Sequence, residues 1–155
     1  MGIVEEFCKR FCIKDSEKFL ELFSDDALYV DSLYGKYTGK DQIKAFHERC
    51  HKEAKNYKFI PKNIIFSEEK AAFEWEISFE LLTPFGKGKK VKAEGASFME
   101  IEDGKIKAYR EYSDSIFILL SGNVPEEKII KFYRKKYRSV LHQTALNHLD
   151  GKQGL

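Results

Sequence analysis

Two short stretches of the sequence hold the residue types that proton-transfer chemistry requires. In Leu28-Tyr29-Val30-Asp31 an isolated carboxylic acid closes an apolar run, and in Tyr109-Arg110-Glu111 another acid follows a phenol by two residues. A carboxylate among apolar side chains loses hydration, so its charged form is disfavoured and its proton affinity rises. Such a group serves as a general acid or base near neutral pH and contributes on the order of 10²- to 10⁴-fold to a rate. The same residues have plainer uses. An acid after a short strand caps a turn through its own backbone, and a strand-end glutamate such as Glu111 pairs with an arginine such as Arg110. Asp114 reads as a solvated or capping residue.

The elements around these residues must supply apolar walls. Over residues 71–82 the chain alternates with a period of two: Phe73, Trp75, Ile77, Phe79 and Leu81 point one way, while Glu74, Glu76, Ser78 and Glu80 point the other. That is the pattern of a half-buried antiparallel strand. Its aromatic face covers a core or lines a cavity, with Trp75 a core residue first and a ligand platform second. Further strands are expected over residues 59–66, 90–102 and 105–113, giving a meander. Asp103-Gly104 makes its last hairpin turn, because glycine accepts positive φ without a Cβ clash, and Pro84-Phe85-Gly86-Lys87-Gly88 makes the turn before it.

Upstream, Ile3, Val4, Phe7, Cys8 and Phe11 recur at helical spacing, and Phe19, Leu20, Leu22 and Phe23 continue after a break that Asp15 or Ser16 can cap. A short strand over residues 27–31, a glycine-containing loop over 32–39 and a helix from about 40 to 54 follow, the helix placing Ile43, Phe46, His47 and Cys50 on one stripe. Pro125 starts a last helix whose Ile129, Ile130, Phe132, Tyr133, Tyr137, Val140 and Leu141 form a stripe suited to docking on the sheet or on a second subunit. Residues 150–155 read as a loose tail.

Composition narrows the classes. The chain has 155 residues, 43% of them hydrophobic, enough for one core, and no Pro/Gly/Ser-rich linker divides it. With 27 basic against 25 acidic residues the net charge is +2, which gives no strong pull toward nucleic acid or membrane. The first residues lack the basic start and apolar run of a signal peptide, and no stretch nears the roughly 18 apolar residues of a membrane span. A cytoplasmic protein is expected. Three cysteines, Cys8, Cys12 and Cys50, suit reduced thiols better than disulfides. His47 and His51 lie four apart with Cys50 beside them, a spacing that metal ligands also use. On an otherwise apolar stripe they read as packing histidines. Gly86-Lys87-Gly88-Lys89-Lys90 is a charged turn, with neither a phosphate loop nor a dinucleotide fingerprint in the chain. No cofactor and no metal are expected.

The order of elements, together with the stretches Leu22 through Asp31, Thr38-Gly39-Lys40-Asp41-Gln42-Ile43, Ala71 through Glu80 and Glu102-Asp103-Gly104-Lys105-Ile106, resembles the nuclear transport factor 2-like superfamily. The stretch from about Ile3 to Ser121 resembles its steroid isomerase and SnoaL-like polyketide cyclase branches. The resemblance implies an α+β fold: a cone-like, curved antiparallel sheet with N-terminal helices packed in its concave face, spanning residues 1–121, and an extra C-terminal helix, residues 122–155, extending the same domain.

It also implies roles, position by position. Asp31 matches the steroid isomerases' general base, whereas Phe7 stands where they carry an oxyanion-stabilising tyrosine and Ser97 near their protonated acid. In the limonene epoxide hydrolase branch, Glu111 takes the second acidic place and Tyr29 that of a water-holding tyrosine, while Trp75, Ile77 and Phe79 occupy the strand of the Arg-x-Asp pair. Facing carried over from the fold turns Tyr29, Asp31, Trp75, Ile77, Phe79, Ser97, Met99, Tyr109 and Glu111 into one cavity. The implied chemistry is cofactor-free isomerisation or cyclisation of a small hydrophobic carbonyl compound, with Asp31 taking the proton and Glu111 or Tyr109 returning it or holding the oxygen. The alternative is a non-catalytic module that holds a small ligand or forms a homodimer through the sheet's outer face, where Glu74, Glu76, Ser78 and Glu80 stand ready to pair with a partner subunit.

Overall fold

The computed structural model describes residues 2–141, so the expected loose tail at 150–155 lies outside the described residues. Helix α1 (Ile3–Phe11) buries Val4, Phe7, Cys8 and Phe11 and carries Glu5 and Glu6 in its first turn and Lys9 and Arg10 in its last. That charge order complements the helix dipole. Helix α2 (Ser16–Leu20) is capped by Asp15, whose carboxylate accepts the Lys18 N–H.

Strand β1 (Phe23–Asp31) starts earlier than its apolar run suggests, and the following loop contains a short strand, β2 (Gly35–Thr38), paired antiparallel to it. Helix α3 (Lys40–Glu53) leads directly into β3 (Ala54–Phe66). The meander continues through β4 (Lys70–Leu81), β5 (Lys90–Glu102) and β6 (Lys105–Ser113). In the hairpin turn between the last two, Asp103 and Gly104 both adopt positive φ, 49° and 71°, matching the right-handed twist of the strands.

The six strands lie in the order β2-β1-β6-β5-β4-β3. One pairing departs from the expected antiparallel sheet: β1 runs parallel to β6, making the sheet mixed. Residue alternation is blind to strand direction, and this pair is joined only through α3 and the whole meander. The sheet curves without closing, in the cone shape that the element order predicts. Asn56 and Asn63, at φ 57° and 47°, sit at the two register shifts of β3. Bulges of this kind bend an edge strand and raise its twist.

The concave face holds the core. Phe7 and Phe11 of α1, Phe19 of α2, Ile43 and Phe46 of α3, and Tyr29, Phe59, Phe73, Trp75, Met99 and Tyr109 of the sheet are all buried. On the outer face Glu76 pairs with Lys62 and Lys92, Glu80 with Lys55, and Arg110 with Glu100. A short helix that the sequence did not suggest, α4 (Ser115–Ser121), follows β6, with Asp114 as its N-cap accepting the Phe117 N–H at 3.0 Å.

The chain separates into two compact units, Met1–Asn123 and Val124–Leu155. The second contains α5 (Glu126–Lys136), a helix that starts after Pro125 as expected and holds Ile129, Ile130, Phe132 and Tyr133. Among the described residues no helix is long and apolar enough to cross a membrane.

Candidate active site

Alternation along β6 turns Tyr109 and Glu111 to the concave side and Arg110 to the outer one. Arg110 accordingly reaches Glu100 at 2.7 Å on the outer face, so the expected pairing of Glu111 with Arg110 does not form. Glu111 instead accepts the Tyr109 hydroxyl on Oε2 at 3.2 Å and, on Oε1, the Ser32 hydroxyl at 2.8 Å and the Ser32 N–H at 3.2 Å.

Asp31, at the end of β1, takes the turn-capping position. Its Oδ1 accepts the N–H groups of Leu33 at 2.8 Å and Tyr34 at 2.6 Å. Both acids are therefore bridged to one three-residue turn, Ser32 to Tyr34. Tyr34 anchors that turn to α3, its hydroxyl donating to Glu53 and the Arg49 guanidinium lying 4.1 Å above its ring.

Behind Glu111 a chain of polar groups runs into the core. Tyr109 OH lies 2.8 Å from Ser97 Oγ, and Ser97 Oγ accepts the Trp75 indole N–H at 2.8 Å. Register explains the meeting: Ser97 stands opposite Glu111 on β6 and opposite Phe73 on β4. A buried indole and a buried serine thus each find a partner, as buried polar groups must.

Burial, with Asp31's negative charge next, pushes Glu111 up to about 8. Burial also holds Tyr109 and Tyr29 well above the usual phenol range, Glu111 adding to the rise in Tyr109. Tyr109 therefore stays a hydrogen-bond donor throughout the neutral range.

Of the other residues expected around the site, Tyr29, Trp75, Ser97 and Met99 are buried on the concave face, and Ile77 and Phe79 are half-buried farther along β4. The space around the two tyrosines is occupied by rings. Phe7 lies 4.6 Å from Tyr109 between centroids, and Tyr29 lies 4.6 Å from Tyr109 and 4.8 Å from Phe46. Ser32 and Ser113, whose hydroxyls are 2.6 Å apart, were not foreseen. The only local hint was a serine directly after Asp31.

His47 and His51 serve packing. Their Nε2 atoms both donate to the Phe11 carbonyl, at 3.1 and 2.9 Å, and Ser16 Oγ donates to His47 Nδ1 at 2.9 Å. Burial, aided by His51, lowers His47 to about 4. Among the described residues no group of three or more His, Cys, Asp or Glu side chains is arranged to hold a metal ion.

A curved, unclosed six-stranded sheet with helices in its concavity is the cone fold of ketosteroid isomerase-like proteins. The chain is a member of the SnoaL-like domain family, whose model matches residues 4–109. Among solved structures it resembles a hypothetical protein of ketosteroid isomerase-like fold from Catenulispora acidiphila, crystallised with trimethylamine (TM-score 0.72, 18% identity, covering 79% of this chain and 93% of that one). A protein assigned as a polyketide cyclase from Pseudomonas putida is similar at TM-score 0.66 and 21% identity, covering 79% and 98% of the two chains. An LEH-like epoxide hydrolase from M. tuberculosis is similar at TM-score 0.63 and 17% identity, covering 77% and 86%. A comparison with curated proteins finds no match.

Proposed function

We propose that this protein is a cofactor-free isomerase or cyclase that moves a proton on a small hydrophobic carbonyl compound. Asp31 takes a proton beside the carbonyl, Glu111 returns one, and the Tyr109 hydroxyl supports the acid that does so. The observation that carries this reading is the unequal setting of the two acids. Glu111 is raised to about 8 and accepts the Ser32 hydroxyl and N–H, whereas Asp31 accepts the N–H groups of Leu33 and Tyr34. Environments that split two acids in this way assign one as base and the other as acid. The fold neighbours supply the class of chemistry: one is assigned as a polyketide cyclase, and another was crystallised with a small amine.

The test is deuterium uptake from heavy water into a small cyclic ketone such as cyclohexanone, followed by mass spectrometry. Uptake above background by the wild-type protein and its loss in Asp31→Asn support the reading; equal uptake by both proteins ends it.

A second reading, a non-catalytic ligand-binding or assembly module, is favoured by the rings that fill the cone around Tyr109. Under either reading we place a homodimer contact on the outer face. Of the expected glutamates, Glu76 and Glu80 are already paired with lysines of their own sheet, and Glu74 accepts the Asn63 side-chain amide. Phe98 and Tyr112 meet there edge to face at 6.0 Å and are both more than half exposed. They are rimmed by Lys70, Glu100 and Arg110, charges of both signs that suit a two-fold contact. Sedimentation of Phe98→Glu against wild type tests this surface. The three free thiols, Cys8, Cys12 and Cys50, support a cytoplasmic location.

A further inference from the structure

We propose that helix α5 lies on an anionic lipid surface, its apolar face entering the lipid and its lysines and arginines meeting the headgroups. The inference uses the second compact unit alone, so it stands apart from the proposed reaction.

Charge carries the first part. From Lys128 to Arg138 the chain has six basic residues and no acidic one. Taking these six from the 27 of the whole chain leaves 21 basic residues against 25 acidic ones, so the rest of the protein is net negative. The overall +2 thus conceals a strongly cationic helix on an acidic remainder. The helix dipole accounts for Arg134, Lys135 and Lys136 in the last turn. It does not account for Lys128, which stands in the first turn where a cation is disfavoured, or for Lys131 in the middle.

Facing carries the second part. At 3.6 residues per turn, Ile129, Ile130, Tyr133 and Tyr137 share one face of α5, and Lys128, Lys131 and Lys135 lie opposite. After Tyr137 the Leu141 N–H donates to the Tyr137 carbonyl at 2.9 Å, which extends the apolar face by one turn. Ile129 is buried, whereas Ile130, Tyr137 and Leu141 are 55%, 43% and 56% exposed. Arg134 and Lys136 border this face, where long stems cover apolar surface and carry the charge outward. The Tyr133 and Tyr137 rings stack at 6.0 Å, and such rings favour the headgroup level of a bilayer.

Three kinds of partner meet a basic, apolar helix. A nucleic acid satisfies the cations with phosphates but gives Ile130 and Leu141 nothing apolar to bury against. A second copy laid face to face sets one cationic helix against another, a like-charge contact that costs free energy. An anionic bilayer takes the apolar side chains and the cations together. No helix among the described residues is long and apolar enough to cross a membrane, so α5 lies in the plane of the surface.

Co-sedimentation of the full chain tests this with vesicles of phosphatidylcholine alone and of equal parts phosphatidylcholine and phosphatidylglycerol. Wild type is expected to sediment with the anionic vesicles and not with the neutral ones, and to come off as salt is raised. Lys131→Gln/Lys135→Gln should weaken partition about thirtyfold, the loss of two charges near an anionic surface. Ile130→Ser, which keeps every charge, should weaken it about tenfold. Thermal melting and Trp75 fluorescence establish that each variant is folded. A wild-type protein that stays in solution with anionic vesicles overturns the proposal, and so does binding that neither substitution changes. Binding that the lysine change alone weakens, matched by equally tight binding to a duplex oligonucleotide, assigns the helix to nucleic acid and overturns it as well.

Discussion

The ring of Phe7 lies 4.6 Å from that of Tyr109, tilted by 31°, so the first helix seals the cone directly against the phenol that supports Glu111. Phe7 is fully buried and also meets Phe19, Phe23, Phe59 and Tyr29. Removing this ring takes contacts from four other elements at once, α2, β1, β3 and β6.

Phe7→Ala is expected to destabilise the protein by about 3–5 kcal/mol, the cost of a large-to-small change in a packed core. The hollow it leaves is apolar and beside Tyr109. Chemical denaturation measures the loss, and raised melting temperature on adding benzene checks that the hollow forms.

Gly95 faces the core where Trp75 crosses it. A methyl group there would sit 2.4 Å from Trp75 Cζ2 and 2.5 Å from the Tyr112 carbonyl oxygen, and the carbonyl belongs to a paired strand that resists moving. Gly95→Ala should therefore cost about 1–3 kcal/mol as an overpacked site and pull the indole from Ser97. Trp75 is the single tryptophan of the chain, so its fluorescence reports the displacement directly.

Stability should fall in mild acid because of His47. Burial keeps it neutral in the folded state, down to about 4, whereas the unfolded chain takes up its proton near the ordinary 6.5. The contribution is fully present above about pH 6.5 and is lost as pH falls from there toward 4, amounting to about 3 kcal/mol across the window. Urea unfolding at pH 7 and pH 5 checks the slope, and His47→Gln, which retains a donor for the Phe11 carbonyl, should flatten it.

Glu111 works in the opposite direction. Its folded value, about 8, lies above the ordinary 4.5, so its contribution is present below about pH 4.5 and is lost as pH rises through 8. Glu111→Gln, neutral at every pH, is expected to gain on wild type by about 1–2 kcal/mol between pH 6 and pH 9, a figure discounted because the side chain is only half-buried. Asp31→Asn should lower the Glu111 midpoint by removing the neighbouring charge, without returning it fully to 4.5, since burial remains the larger cause. Carboxyl-carbon NMR reads both.

Local chemistry made much of this protein legible from its residues. Period-two alternation located β4 and its apolar face, Asp103-Gly104 set the last hairpin, Asp15 began α2, and the acids at 31 and 111 stood out because apolar or aromatic neighbours surrounded them. Each of these rests on contacts within a few positions along the chain. Tertiary structure decided the rest. The parallel pairing of β1 with β6 brings Ser32 to Glu111, 79 positions away, and Ser113 to Ser32, 81 positions away. The β5–β6 register sets Ser97 opposite Glu111 and beside the Tyr109 hydroxyl. Asp31 shows the division within one residue. A short oxygen-bearing side chain after a strand caps its own turn by local rules, whereas the like charge it presents to Glu111 exists only because two distant strand ends meet.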